Sequence, residues 1–175
     1  PHRVVIYKDG ADKARQLLPF TQAEGLDASD PEKLWAFMQE YENKTGGEIL
    51  AIPHNGNLTG GGMFTRKDYK GRPITKVYAQ TRQRWEPLYE VTQMKGDSET
   101  HPVVSPEDEF ADYETWNMRG GWTERSPGPE WTEEYLQEYA RPGLKLGLQQ
   151  QVKLGVNPFK FGMIGSTDAH TSLAT

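Results

Sequence analysis

The segment Glu48-Ile49-Leu50-Ala51-Ile52-Pro53-His54 joins an apolar, strand-like run to a residue able to bind a metal ion. Two other segments follow the same plan. Leu88-Tyr89 runs into Glu90-Val91, and the run 159–167 leads to Asp168-Ala169-His170. Helical patterns separate the three segments, and this alternation predicts a mostly parallel sheet. We therefore expect the three chain positions to face one another, because functional groups in such folds collect at the carboxyl ends of the strands.

The composition limits the classes of protein to which the chain can belong. Its 175 residues suit one domain with a real core. The formal charge of −5 argues against a nucleic acid as a partner, because nucleic-acid-binding surfaces are normally basic. Without cysteine, the chain can form neither disulfides nor thiolate metal sites.

Membrane insertion is also not expected. No apolar run approaches the roughly 20 residues needed to cross a membrane, and no signal peptide is visible. We expect a soluble protein of the cytoplasm or periplasm that acts on a small-molecule substrate. The composition leaves the oligomeric state open.

Helix signals are clearest around residues 29–47. Ser29 or Asp30 can cap a helix that has Pro31 in its first position, and Gly46-Gly47 should end it. Further helices are predicted at 75–85 and at 131–154. The helix at 131–154 should be kinked or divided into two near residues 141–143, because a proline in the interior of a helix destabilises it by about 3 kcal/mol. We expect the polar loops at 55–73 and 94–130 to form the wall of a pocket beside the ligands.

The motif Asp168-Ala169-His170 is the sharpest local candidate for a metal site. In an extended chain the side chains of residues i and i+2 point the same way, so Asp168 and His170 can address one metal ion or two adjacent ones. A carboxylate and an imidazole together suit divalent zinc, manganese or iron. The pair alone is not diagnostic, because it often occurs by chance.

Each remaining candidate has a structural alternative. His54 is a candidate metal ligand, or a loop histidine bound to the backbone. Glu90 is a candidate catalytic residue, because a carboxylate in a buried strand is costly unless it is paired or binds a cation; alternatively it pairs with Arg82 or Arg84. His101 is a second catalytic candidate, or part of a solvated polar loop.

Long motifs in the chain resemble a known family. They lie at 49–57, at 89–93 with 95–102, and at 157–171, and the opening at 2–12 agrees with them. These segments resemble the bacterial domain-of-unknown-function family 3604, which is allied to the PHP (polymerase and histidinol phosphatase) phosphoesterases among the amidohydrolase-like metalloenzymes. The resemblance covers nearly the whole chain.

The resemblance implies an α/β fold, part of a distorted (β/α) barrel with mostly parallel strands and a metal centre in its mouth. His54 would match a metal histidine, Asp168 and His170 the last metal pair, and Glu90 a strand-end glutamate near the centre. The superfamily opens with a His-x-His pair, which this chain lacks. We therefore expect residues 1–175 to be a single domain and an internal piece of a longer protein, inactive alone, although a processed mature protein is the alternative.

The expected function of the parent protein is metal-dependent hydrolysis of a phosphoester or related ester. His54, Asp168 and His170 would bind the metal, and Glu90 or His101 would assist catalysis. The alternative is a binding module that has lost catalysis and grips a ligand or partner with its polar loops.

Overall fold

The computed structural model describes residues 1–21, 27–115, 118–119, 123–124 and 133–171. Seven strands are present in this part of the chain: β1 (His2–Tyr7), β2 (Ile49–His54), β3 (Leu88–Gln93), β4 (Gly96–Asp97), β5 (Met118–Arg119), β6 (Thr123–Glu124) and β7 (Gly162–Gly165). The same part of the chain contains five α-helices and a short 3-10 helix: α1 (Ala11–Ala14), α2 (Pro31–Thr45), the 3-10 helix (Gly56–Leu58), α3 (Lys76–Trp85), α4 (Glu133–Leu136) and α5 (Ala140–Leu154).

The strands form three small sheets, and the expected barrel with mostly parallel strands is wrong. β1 and β2 are antiparallel, as are β5 and β6, whereas the third sheet has the order β4-β3-β7. Within that sheet β3 is antiparallel to β4 and parallel to β7. No closed barrel forms among the described residues.

The error comes from treating every strand–helix alternation as a parallel crossover. The segment between β3 and β7 contains α4 and α5 and does return the chain in parallel. The segment between β1 and β2 also contains helices, but its strands run in opposite directions, so that His2 is paired with His54. β3 and β4 form a tight hairpin that turns at Met94-Lys95, and Gly96 has a φ of 95°, which glycine adopts at little cost.

Helix α2 follows its local sequence signals closely. The side chain of Asp30 accepts a hydrogen bond from the Glu32 amide at 2.9 Å, and Pro31 occupies the first turn. Gly46 ends the helix with a φ of 62°. One apolar face of α2 is buried in a core with α3, β2 and their neighbours. This core contains Leu34, Trp35, Met38, Tyr41, Ile49, Ala51, Ile74, Tyr78 and Trp85.

A buried ion-pair network links this core to β1. Glu86 accepts hydrogen bonds from Arg3 at 2.5 Å and from the Trp35 indole at 2.9 Å, and Arg82 lies 3.1 Å from its other oxygen. All three charged side chains are at most 7% exposed. Burial alone would raise the pKa of Glu86, but the two guanidinium groups outweigh burial and lower the pKa.

The second core packs α5 and part of the loop at 55–73 against β3. The interruption predicted near residues 141–143 is present: the region forms two helices, α4 and α5, and α5 begins at Ala140 with Pro142 inside its first turn. Gly143 allows α5 to approach the ring of Phe64 closely. Buried members of this core are Met63, Phe64, Tyr89, Ala140, Leu146 and Phe159.

Two packing relationships bring the candidate residues together. β2 lies beside β3, although the two strands belong to different sheets, and β3 pairs with β7 with Glu90 opposite Ile164. Beyond this pairing the Ser166 amide donates to the Thr92 carbonyl at 3.1 Å, which carries the chain towards Asp168 alongside β3. No helix in the described part of the chain has the length and apolarity needed to span a membrane.

Candidate functional site

His54 is the last residue of β2 and is only 6% exposed. Within the described residues, its Nδ1 atom makes no hydrogen bond of acceptable geometry. Burial lowers the pKa of His54, whereas the negative charge of Asp168 and the nearby Ile52 carbonyl oppose that shift. The neutral ring is therefore favoured, and a neutral imidazole has a lone pair available for a metal ion.

A second imidazole lies opposite His54 and was not among the predicted site residues. The antiparallel pairing of β1 and β2 places His2 across from His54, and the two ring centroids are 5.7 Å apart. His2 is exposed, and its positive charge when protonated also lowers the pKa of His54. No local signal marks this pair in the sequence, because the pairing depends on the register between distant strands.

Glu90 lies within β3 and is 6% exposed. Burial raises the pKa of its carboxyl group, the charge of Asp168 adds to that effect, and Lys95 opposes it. Neither arginine proposed as its alternative partner fills that role, because Arg82 pairs with Glu86 and Arg84 pairs with Glu42. Within the described residues the Oε1 atom of Glu90 has no hydrogen-bond partner.

Asp168 is the centre of a cluster that also includes His54, Glu90 and His170. Its Oδ1 atom lies 3.1 Å from His170 Nε2, and its Oδ2 atom accepts hydrogen bonds from Gln93 at 3.0 Å and from the Lys95 ammonium group. Burial opposes its ionisation, but the hydrogen bonds from Lys95 and His170 outweigh burial and lower its pKa to about 2. The side chain of Asp168 is 14% exposed and that of His170 is 80% exposed, so the cluster opens to solvent on the His170 side.

Gln93 and Asn55 are linked to Asp168 by hydrogen bonds. Gln93 Nε2 donates both to Asp168 and to Asn55 Oδ1, and Gln93 Oε1 accepts a hydrogen bond from the Lys95 amide at 2.7 Å. Asn55 and Asp168 have φ values of 56° and 49°, and only one other non-glycine residue in the described ranges has a positive φ. Asparagine and aspartate tolerate this conformation better than other residues, and such outliers often cluster at functional sites.

The structure therefore brings four of the five predicted site residues close to one another. His54, Glu90, Asp168 and His170 come together, since Asp168 hydrogen-bonds to His170 and acts electrostatically on both His54 and Glu90. Lys95 was missed: its contact with Asp168 spans 73 residues, and only the turn sequence Lys95-Gly96 marked the position locally.

His101 lies in different surroundings from those expected of a solvated loop. It is 7% exposed, and its ring centroid lies 5.3 Å from that of Tyr135 and 5.6 Å from that of Tyr139. Its Nδ1 atom accepts a hydrogen bond from the Val103 amide at 3.2 Å. These contacts pack His101 against α4 and the segment before α5.

The two loops predicted to form a pocket wall contact the cluster at their first residues. Asn57 donates to the Lys95 carbonyl at 3.1 Å and accepts from the Ser98 hydroxyl at 2.7 Å, so the loops that follow β2 and β3 are joined there. Farther along the first loop, Met63 and Phe64 are fully buried, so this loop also contributes to the core. Residues 116–117, 120–122 and 125–130 of the second predicted loop lie outside the described ranges.

The donor chemistry of the cluster fits a divalent cation in part. His54 Nδ1 and Glu90 Oε1 are buried ligand atoms without partners, and a cation would satisfy them. However, no three histidine, aspartate or glutamate side chains in the described ranges already converge to form a metal site. The Lys95 ammonium group, which already neutralises Asp168, accounts for the poor fit at that carboxylate.

Comparisons with known proteins give one result. The chain matches, over residues 1–175, the family described as "Protein of unknown function (DUF3604)". No curated protein and no solved structure matches the chain. These comparisons give no link to the PHP phosphoesterases or to the amidohydrolase-like enzymes. The match to the named family covers all 175 residues, and the chain therefore belongs to that family of unknown function.

Proposed function

We propose that the protein is a hydrolase that uses divalent zinc, manganese or iron to cleave a phosphoester or related ester. His54, Asp168 and His170 would hold the cation, and Glu90 would accept or donate a proton beside it. A bound divalent cation lowers the pKa of water from 15.7 to about 7 and polarises the scissile group. Kinship with the PHP phosphoesterases is part of this proposal and is supported by the motifs around His54 and Asp168.

One observation carries the proposal. Two buried ligand atoms, His54 Nδ1 and Glu90 Oε1, lack hydrogen-bond partners in the described part of the chain, and both side chains lie within the electrostatic reach of Asp168. An unpartnered buried polar atom costs about 1–3 kcal/mol. Two such atoms beside an ionised carboxylate are hard to explain by folding stability alone, and a cation bound near Asp168 would offset part of this cost.

His101 is not given a catalytic role in this proposal. Its ring packs against Tyr135 and Tyr139 and its Nδ1 atom is occupied by a backbone amide, which favours a role in holding the loop after β4.

The deciding experiment compares metal content with hydrolysis. The full-length wild-type protein is loaded separately with zinc, manganese and iron, dialysed, and assayed for bound metal and for hydrolysis of p-nitrophenyl phosphate and bis-p-nitrophenyl phosphate. Asp168→Asn should lower metal content and hydrolysis together, because it removes the charge of a ligand. Asp112→Asn is the matched control, because Asp112 is exposed and outside the cluster. Normal metal content and normal hydrolysis in the Asp168 variant would overturn the proposal.

A second candidate function is a binding module without catalysis. The ion pair between Lys95 and Asp168 favours this alternative, because it neutralises the carboxylate without a metal ion. If the loaded wild-type protein binds no metal and hydrolyses neither ester, the binding module becomes the better assignment.

A further inference from the structure

Lys95 is the cationic side chain at the centre of the cluster. It lies in the turn between β3 and β4, and its side chain is 18% exposed. Its ammonium group donates to Asp168 Oδ2, and its charge also lowers the pKa of His54 and of Glu90. Three of the four side chains that come together at this site are therefore influenced by the same ammonium group.

The backbone holds Lys95 in this place independently of its side chain. Its amide donates to Gln93 Oε1 at 2.7 Å, and its carbonyl accepts from Asn57 Nδ2 at 3.1 Å. Gln93 also donates to the Asp168 oxygen that Lys95 contacts, at 3.0 Å. These hydrogen bonds hold the turn that places the ammonium group beside Asp168. Because they involve backbone atoms of Lys95, a change of its side chain leaves them intact.

A divalent cation and the Lys95 ammonium group need the same carboxylate. Oδ1 of Asp168 faces His170, and Oδ2 already accepts from both Lys95 and Gln93. A cation that binds Asp168 together with His54 would lie within a few ångströms of the ammonium group. Like charges at such distances repel strongly in a partly buried site. Lys95 would therefore have to leave Asp168 when the cation binds.

We propose that Lys95 is an internal counter-ion that occupies Asp168 Oδ2 and holds this side chain in place before a divalent cation binds, and that its displacement sets the affinity of the site for the cation. The inference rests on the proposed function for the identity of its ligand. It differs from a ligand role for Lys95, because it states that the lysine opposes metal binding and does not support it.

The test measures binding of Mn²⁺ and of Zn²⁺ alone to the metal-free full chain by titration calorimetry, at one pH and one ionic strength. Lys95→Met keeps most of the side-chain length and removes the charge. It should bind the cations about tenfold to a hundredfold more tightly than the wild type, because the opposing charge is gone. Lys95→Arg keeps the charge and should bind like the wild type or more weakly.

Two controls make the outcome specific. Lys8→Met removes an exposed lysine paired with Glu48, and its affinity should equal that of the wild type. Thermal unfolding followed by circular dichroism checks that each variant is folded, and Lys95→Gln replaces Lys95→Met if the latter does not fold.

Each result decides between the two proposals. Tighter binding by Lys95→Met supports the counter-ion role, including the case in which the wild type alone binds too weakly to measure. Equal or weaker binding by Lys95→Met overturns it, and if Asp168→Asn still abolishes binding, the proposed hydrolase stands. If neither the wild type nor the Lys95 variants bind either cation, the counter-ion role and the metal site proposed above both fall.

Discussion

The imidazoles of His54 and His2 lie opposite each other across the antiparallel pair of β1 and β2, with ring centroids 5.7 Å apart. Their ring planes are inclined at 72°, so one ring presents its edge to the other. Protonation of both rings would place two positive charges close together. The structure therefore favours a neutral His54, which burial also favours.

The first prediction concerns His54 and acid. Its pKa is lowered from an ordinary value of 6.5, so below that pH the unfolded chain binds more protons than the folded one and stability falls as pH falls. Asp168 opposes this shift, and His2 and Lys95 reinforce it. His54→Gln removes the group, so its free energy of unfolding should fall less between pH 7.5 and pH 5 than that of the wild type. Urea unfolding at both pH values measures this difference, and equal falls would contradict the assignment.

The second prediction concerns the ion-pair network around Glu86. Glu86→Gln leaves Arg3 and Arg82 buried without a counter-charge, and both side chains are at most 7% exposed. Loss of one partner of a buried pair typically costs about 3–5 kcal/mol, so urea unfolding should show a loss of that size. Glu48→Gln is the control, because Glu48 pairs with Lys8 on the surface, and it should unfold at the wild-type urea concentration. Similar midpoints for both variants would contradict the structural role of Glu86.

Helix α2 shows what the sequence could predict. Its cap at Asp30, its first-turn Pro31 and its terminal Gly46 are local signals, and the structure uses all three. Helix α3 was also placed correctly, but the apolar Val77 is 70% exposed, whereas the charged Arg82 is buried. A hydrophobic pattern cannot predict a buried arginine, because that burial depends on Glu86 and Arg3 from other elements.

The strand directions and Lys95 show where sequence reasoning fails. The antiparallel pairing of β1 with β2 depends on the whole path of the chain between them, so no short pattern reports it. The approach of His54, Glu90 and Asp168 was predicted on the assumption of a mostly parallel sheet, whereas in the structure β3 contacts β2 of a separate sheet and pairs with β7. Lys95 reaches Asp168 only through the hairpin that β3 forms with β4.

The third prediction concerns close packing beside the site. A methyl group at Gly56 would overlap the Tyr89 hydroxyl group and the Glu138 carbonyl, and the Tyr89 side chain is only 1% exposed. Gly56→Ala should therefore lower the free energy of unfolding by about 1–3 kcal/mol, as overpacking typically does. Gly10→Ala is the matched control: its methyl would lie 3.1 Å from the side chain of Asp12, which can move into solvent. Equal stability of the two variants in urea would show that the contact at Gly56 is not tight.

The last prediction separates stability from function at Glu90. Burial raises the pKa of its carboxyl group, so the favourable contribution of the protonated group is present below the ordinary value of 4.5 and is lost as pH rises through the folded-state pKa. The contribution of Glu90 to stability is therefore smaller at pH 8 than at pH 4.5. Glu90→Gln replaces the carboxyl group with a neutral side chain, so its free energy of unfolding should exceed that of the wild type by about 1 kcal/mol at pH 8, and the difference should shrink towards pH 4.5.

The same substitution should have the opposite effect on activity. If Glu90 transfers a proton in the proposed hydrolysis, Glu90→Gln should lower the rate by about 10²–10⁴-fold while the protein becomes more stable. Glu40→Gln on the exposed face of α2 should change neither property. Urea unfolding and hydrolysis rates on the same preparations check both halves of the prediction. If the Glu90 variant is less stable than the wild type at pH 8, the carboxylate has a stabilising partner. If hydrolysis is unchanged in this variant, Glu90 has no catalytic role in the proposed reaction.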